Sequence, residues 1–184
     1  MKTIITTLIL TVSFISCKAQ TVYNLNNLPE DVPFNNVYLK DVENHFDALV
    51  GVWKWEQGNN SFEVTLQKFE KYKWPAFSTS YDDIIFGKYT YIENGNVLSE
   101  VTSIETFPNV KLVMQFQSPT EYTIRILDVA SDKSLGGTFV INSNGTATFN
   151  LDTTRPSSGG YYHPSNPPSS VLFSLPANVT LIKQ

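Results

Sequence analysis

The feature that most constrains this chain is a succession of short alternating runs joined by tight-turn signals. Phe62, Val64 and Leu66 fall on one face of SFEVTLQKF (61–69), with Glu63, Thr65 and Gln67 on the other. Side chains in a strand point to opposite faces with a period of two, so this pattern marks a strand with one buried side. GVWKWEQ (51–57) precedes it across Gly58-Asn59-Asn60. IIFGKYTYI (84–92) and VLSEVTSI (97–104) flank Asn94-Gly95, and GTFVI (137–141) and TATFNL (146–151) flank Asn144-Gly145. Asn94-Gly95 suits the two positive φ values of a type I′ turn, and Asn144-Gly145 marks the clearest hairpin of the chain. VKLVMQF (110–116), EYTIRILDV (121–129), VLFSL (171–175) and NVTLIK (178–183) complete about ten expected strands. Strands paired in sequence by tight turns make an antiparallel meander. A meander of eight or more strands closes on itself and so removes its exposed edges. The expectation is an all-β fold, an antiparallel β-barrel of about 8–10 strands, with a two-sheet β-sandwich as the alternative. NHFDALV (44–50) could form a helical turn with Asn44 as its N-cap.

The beginning of the chain reads differently. Lys2 is followed by an apolar run from Ile4 to Ile15, the length of a signal-peptide core and too short to span a membrane. Phe14-Ile15-Ser16-Cys17 reads as a lipobox: the thiol of Cys17, the one cysteine of the chain, receives a diacylglycerol and becomes the new N-terminus. The alternative is ordinary cleavage after Ala19. The domain expectation is a lipoprotein signal peptide over 1–16, a linker or extended arm over 17–44, and the β domain over 45–184. A lone cysteine excludes an internal disulfide framework. The expected location is the cell envelope, lipid-anchored at the outer membrane and facing the periplasm, with a secreted or periplasmic form as the alternative.

The net charge of −4 and a stock of two arginines lack the basic footprint of nucleic-acid binding. His45 and His163 stand far apart, and a zinc site needs three or four clustered ligands, so neither metal nor cofactor is expected. No G-x-S-x-G elbow or Gly-rich phosphate loop occurs. A triad of His163 with Ser157 or Ser165 rests on proximity in a loop alone. Asp82 and Asp83 are adjacent, and on a strand they would diverge rather than pair.

Two aromatic stretches remain as candidate contact sites. KYKWPAFSTSY (71–81) carries Trp74, Phe77 and Tyr81, and RPSSGGYYHPSNPPSS (155–170) carries Tyr161, Tyr162 and His163. Rings beside Asn and Ser suit a glycan or peptide by stacking and hydrogen bonding, and a long connection is commonly functional. The functional expectation is a non-catalytic envelope lipoprotein. It would bind a small apolar or glycan ligand, or a protein partner of the envelope. An envelope glycan or lipid hydrolase is the alternative.

In LVGVWKW, a helical turn followed by Gly51-x-Trp53 at the head of the first strand resembles the first signature of the lipocalin and calycin barrels. The resemblance implies a lipocalin-like barrel with Trp53 closing its floor. The family's Thr-Asp-Tyr motif is absent. Its late arginine, which packs over the tryptophan, has no arginine counterpart: Arg155 is read as part of a loop, and the last strand offers Lys183. Over more of the chain, Ser16-Cys17-Lys18-Ala19-Gln20, the Gly51-x-Trp53 strand and the ending Phe173-Ser-Leu-Pro-Ala-Asn178-Val-Thr-Leu resemble a group of small, uncharacterised envelope proteins of flavobacteria. That resemblance implies an address and no activity.

Overall fold

The computed structural model describes residues 20–33, 35–74, 79–156 and 173–184, with the backbone alone for 153–156. Among the described residues eleven strands are present: β1 (Thr21–Asn24), β2 (Val37–Lys40), β3 (Gly51–Gln57), β4 (Asn60–Lys73), β5 (Tyr81–Glu93), β6 (Asn96–Val101), β7 (Leu112–Phe116), β8 (Glu121–Asp128), β9 (Lys133–Ile141), β10 (Thr146–Pro156) and β11 (Asn178–Lys183). The order β5-β4-β3-β11-β10-β9-β8-β7 returns to β5, because β7 pairs with β5. The fold is therefore the closed antiparallel barrel, and the sandwich alternative is set aside.

The turns are set locally. Asn94 and Gly95 take φ values of 51° and 79°, as a type I′ turn requires. Glu93 pairs with Asn96 directly across them. The β9–β10 connection is longer, and the Asn144 side chain accepts from both the amide and the hydroxyl of Thr146.

β5 is long enough to need several neighbours. One edge pairs with β4 along its length. The other edge is divided: Tyr81 and Asp82 face β2, Ile85 and Phe86 face β7, and Tyr89–Glu93 face β6. Val101 lies opposite Tyr89, and Val113 lies opposite Phe86 further down the same edge. β6 and β7 are thus two halves of one barrel strand, interrupted where 102–111 loop outward. That loop returns Ile104 and Val110 onto a second apolar cluster on the outer wall, around Ile84, Phe86 and Val113.

The barrel interior is filled by its own side chains. Phe62 on β4 meets Phe149 on β10 with ring centroids 5.0 Å apart, and Trp53 on β3 meets Phe139 on β9 edge-on at 5.3 Å. These strands are not neighbours in the sheet, so the rings touch across the axis. Leu66, Leu112, Tyr122, Ile124 and Leu135 close the same cluster.

Trp53 lies at the end where β3 begins. It is 1% exposed, and its indole N–H donates to the Leu49 carbonyl at 2.7 Å. The cation over its ring is Lys183, whose Nζ is 5.4 Å from the ring centre and donates to the Ala48 carbonyl at 2.8 Å. The turn before it is a 3-10 turn, His45–Ala48, and its cap is not the expected one. Asn44 is left-handed and makes no side-chain cap. The carboxylate of Asp41 accepts from the amides of His45 and Phe46 instead, at 2.8 and 2.9 Å.

Other expectations are also corrected. The stretch read as an irregular arm holds β1 and β2, which pair in parallel, and β2 is hydrogen-bonded to β5. No local turn signal announces a parallel pair, whose partners are distant in sequence. Residues 173–175 of the expected strand 171–175 are not a strand, and 171–172 lie outside the described residues. Arg155 belongs to β10, which continues through a bulge to Pro156.

Candidate functional site

Two of the singled-out aromatic residues, Trp74 and Tyr81, stand at the same end of the β4–β5 pair but on opposite faces, Trp74 with Asp82 and Phe86 on the outer wall and Tyr81 beside Lys71 on the other. β4 reaches them by breaking its alternation. The register shifts between Phe69 and Tyr72, with Lys71 left-handed at φ 51°. Such a bulge re-aims the side chains that follow it. Phe69 and Tyr72 both turn onto the outer wall, where each packs edge-on against Phe86. Trp74 stacks edge-on against Tyr72 at 5.5 Å and against Phe107 of the outward loop at 6.1 Å. Its indole N–H donates to Asp82 at 2.7 Å.

Asp82 and Asp83 diverge as neighbours on a strand must. Asp82 joins the aromatic wall. Burial pushes its carboxyl above the usual range, the Trp74 bond pulls the other way, and the charge of Asp83 adds to the rise. Asp83 turns to the opposite face and is buried. It accepts from the Tyr38 hydroxyl at 2.6 Å, the Lys71 amide at 2.9 Å and the Asp41 amide at 3.0 Å. One carboxylate therefore fastens β2, the segment after it and the β4 bulge. Burial, the bond to Asp83 and its negative charge all push the Tyr38 phenol well above its ordinary range. The Lys71 ammonium lies 5.7 Å from the Tyr38 ring and 5.5 Å from the Tyr81 ring, within cation–π reach of both. Lys68 spans the buried Asp41 at 3.4 Å and the exposed Asp47 at 3.1 Å.

Chemically this patch can stack and clamp. The half-buried rings of Tyr72 and Trp74 offer apolar faces on the outer wall, and the half-buried ring of Tyr81 lies beside Lys71 on the other face. The carboxylates of Asp41 and Asp83 are taken up by backbone and phenol donors. Tyr38, Lys68 and the role of Lys71 escaped the sequence reading, which has Asp83 only as diverging from Asp82. The available signal was the three-residue spacing of Phe69 and Tyr72, which fits one face only if the strand bulges between them.

At the other end of the barrel a buried carboxylate gathers the chain. Asp128 is 0% exposed. It accepts from Ser99 at 3.1 Å, Ser131 at 2.7 Å, and the amide and hydroxyl of Ser174 at 2.7 and 2.5 Å. Burial raises its carboxyl, but the bonds from Ser174, Ser131 and Ser99 outweigh that and hold it below the ordinary range. This network ties β6, the β8–β9 turn and residue 174 together. A groove of about 270 Å³ opens on the outer wall near the break in the β6–β7 strand, between Glu63, Thr65, Lys88, Thr90, Glu100 and Thr102. Its groups answer one another: Thr90 donates to Glu100, and Lys88 to the Thr102 carbonyl.

Cys17, Phe77, Tyr161, Tyr162 and His163 lie outside the described residues. Their flanks are placed, however. Lys73 pairs with Tyr81 at the end that holds Trp53, whereas Pro156 pairs with Leu135 towards the opposite end. The two aromatic stretches thus leave the barrel at different ends. Among the described residues no three of His, Cys, Asp and Glu gather as a metal site.

Fold and site together define a small meander barrel with a filled interior and an N-terminal strand pair clamped to one edge. The chain belongs to a family of unknown function (DUF6705), whose model matches residues 1–184. No curated protein and no solved structure matches it.

Proposed function

We propose that this is a non-catalytic binding lipoprotein of the bacterial cell envelope. Acylated Cys17 holds it at the outer membrane, on the periplasmic side. A lipocalin-like barrel serves as scaffold, and a protein partner is met on its outer surface and ends. The observation that carries this reading is the occupied axis: Phe62 against Phe149 and Trp53 against Phe139 fill the place where a lipocalin would hold an apolar ligand. Lys183 over Trp53 favours the lipocalin likeness. The contact surfaces are the Trp74, Phe77 and Tyr81 edge and the stretch with Tyr161, Tyr162 and His163. The engaged carboxylates of Asp41, Asp83 and Asp128 favour a binding role over the hydrolase alternative.

Native mass spectrometry of the protein purified from its own envelope tests this. The expected result is an added polypeptide mass. A retained lipid or other small molecule with no protein partner would overturn the partner reading. In parallel, Cys17→Ala should move the protein from the membrane fraction to the soluble fraction.

A further inference from the structure

Resting on the lipoprotein reading, we propose that the barrel sits directly on the lipid surface, with the β1 edge and the 41–50 segment against the bilayer. The opposite end then points away from it.

The first ground is the length of the tether. Gln20 is already fixed, its side-chain amide donating to the Val37 carbonyl at 3.2 Å, and β1 begins at Thr21. Four Cα steps separate Cys17 from Thr21, which reach at most about 14 Å when fully extended. β1 is bonded to β2, β2 to β5, and Asp83 fastens β2 to the β4 bulge. No stretch between Cys17 and the barrel is therefore long enough to act as a spacer.

The second ground is direction. β2 meets β5 at its first residues, Tyr81 and Asp82, and β1 runs parallel to β2 with Thr21 level with Val37. The chain thus enters at the Trp53 end. The Gly58, Asn94-Gly95 and 129–132 turns lie at the other end.

The third ground is what is exposed where the chain enters. Val22, Val42 and Val50 are 53%, 51% and 37% exposed. Their segments are knitted together. Asn24 donates to Glu43 at 2.7 Å, and Asp41 caps the turn that leads to Val50. Apolar side chains at a surface held against headgroups gain by entering the acyl boundary. The carboxylates of Glu43 and Asp47 lie in the same segment, so the contact needs no anionic lipid.

The test uses the full chain purified from its own membranes in phosphatidylcholine vesicles doped with a nickel-chelating lipid. Cys17 is the one cysteine. Once it is acylated, V42C, V50C and V97C each carry a single free thiol for a nitroxide label. Val97 is exposed and lies beside the Asn94-Gly95 turn. Wild-type melting temperatures confirm that the labelled variants fold. The expected result is several-fold stronger nickel relaxation at 42 and 50 than at 97. A spacer of about 12 Gly and Ser residues between Ala19 and Gln20, able to reach roughly 40 Å, should abolish the contrast. Equal relaxation at all three positions on an acylated chain overturns the docking alone. An N-terminal peptide whose mass carries no acyl groups overturns the lipoprotein reading and the docking with it.

Discussion

Trp53 concentrates several interactions in one residue. Its indole bonds to Leu49, its edge meets Phe139 and its face meets the Lys183 ammonium. Trp53→Ala should lower stability by about 3–5 kcal/mol, as large aromatic deletions from a core do, measured as a shift in urea midpoint. Asp128 makes a pH prediction. Its folded pKa lies below the ordinary value of 3.8, so it contributes stability that is present above that value and is lost as pH falls through the folded pKa. The urea midpoint of the wild type should fall steeply below about pH 4, and Asp128→Asn should flatten that fall while being less stable at neutral pH. A wild-type midpoint that does not change in that range would contradict the assignment.

Elements here are governed by close approach and by interrupted pairing. Gly137 on β9 lies so near β10 that an added Cβ would collide with the Asn150 carbonyl. The obstacle is backbone, which cannot swing aside. Gly137→Ala should therefore cost about 2 kcal/mol or more, whereas Gly58→Ala meets open space and carries only the penalty of its positive φ. Thermal melts of the pair separate the two effects. The β4 bulge depends on Asp83, which captures the Lys71 amide together with Tyr38 and the Asp41 amide. Asp83→Asn turns an amide donor towards one of these donors and leaves it unpaired, at about 1–3 kcal/mol. Protection of the Asp41 and Lys71 amides against hydrogen exchange should fall first.

The whole molecule divides into a closed barrel and an attached edge. Each of the eight strands on the closed path, β5-β4-β3-β11-β10-β9-β8-β7, is bonded on both sides, whereas β2 is paired with β5 through only Tyr38–Tyr81 and Leu39–Asp82. Native-state exchange should therefore release β1 and β2 at lower free energy than β3, β4 and β10, because stability is distributed by how each segment is paired and packed. Uniform exchange across all eleven strands would show that the strand pair is as deeply built in as the barrel itself.

The sequence by itself determined the meander. Period-two burial in 61–69 and the Asn-Gly pairs at 94–95 and 144–145 are local signals, because side-chain alternation and turn φ depend on a few adjacent residues. The same locality made Asp82 and Asp83 diverge and put Trp53 at the head of the first barrel strand. Tertiary structure alone decided the rest. It took β1 and β2 out of an apparent spacer and put them on the sheet, through partners without a connecting turn. It also split one barrel strand into β6 and β7, so that 102–111 could cover the outer aromatic wall. Asp41 became the cap that Asn44 was expected to be, and Lys183 came to lie over Trp53. Each of these rests on a hydrogen bond or ring contact between residues that only the closed barrel brings together. A strand's pattern states which face is buried, but not which distant donor will find its carboxylate.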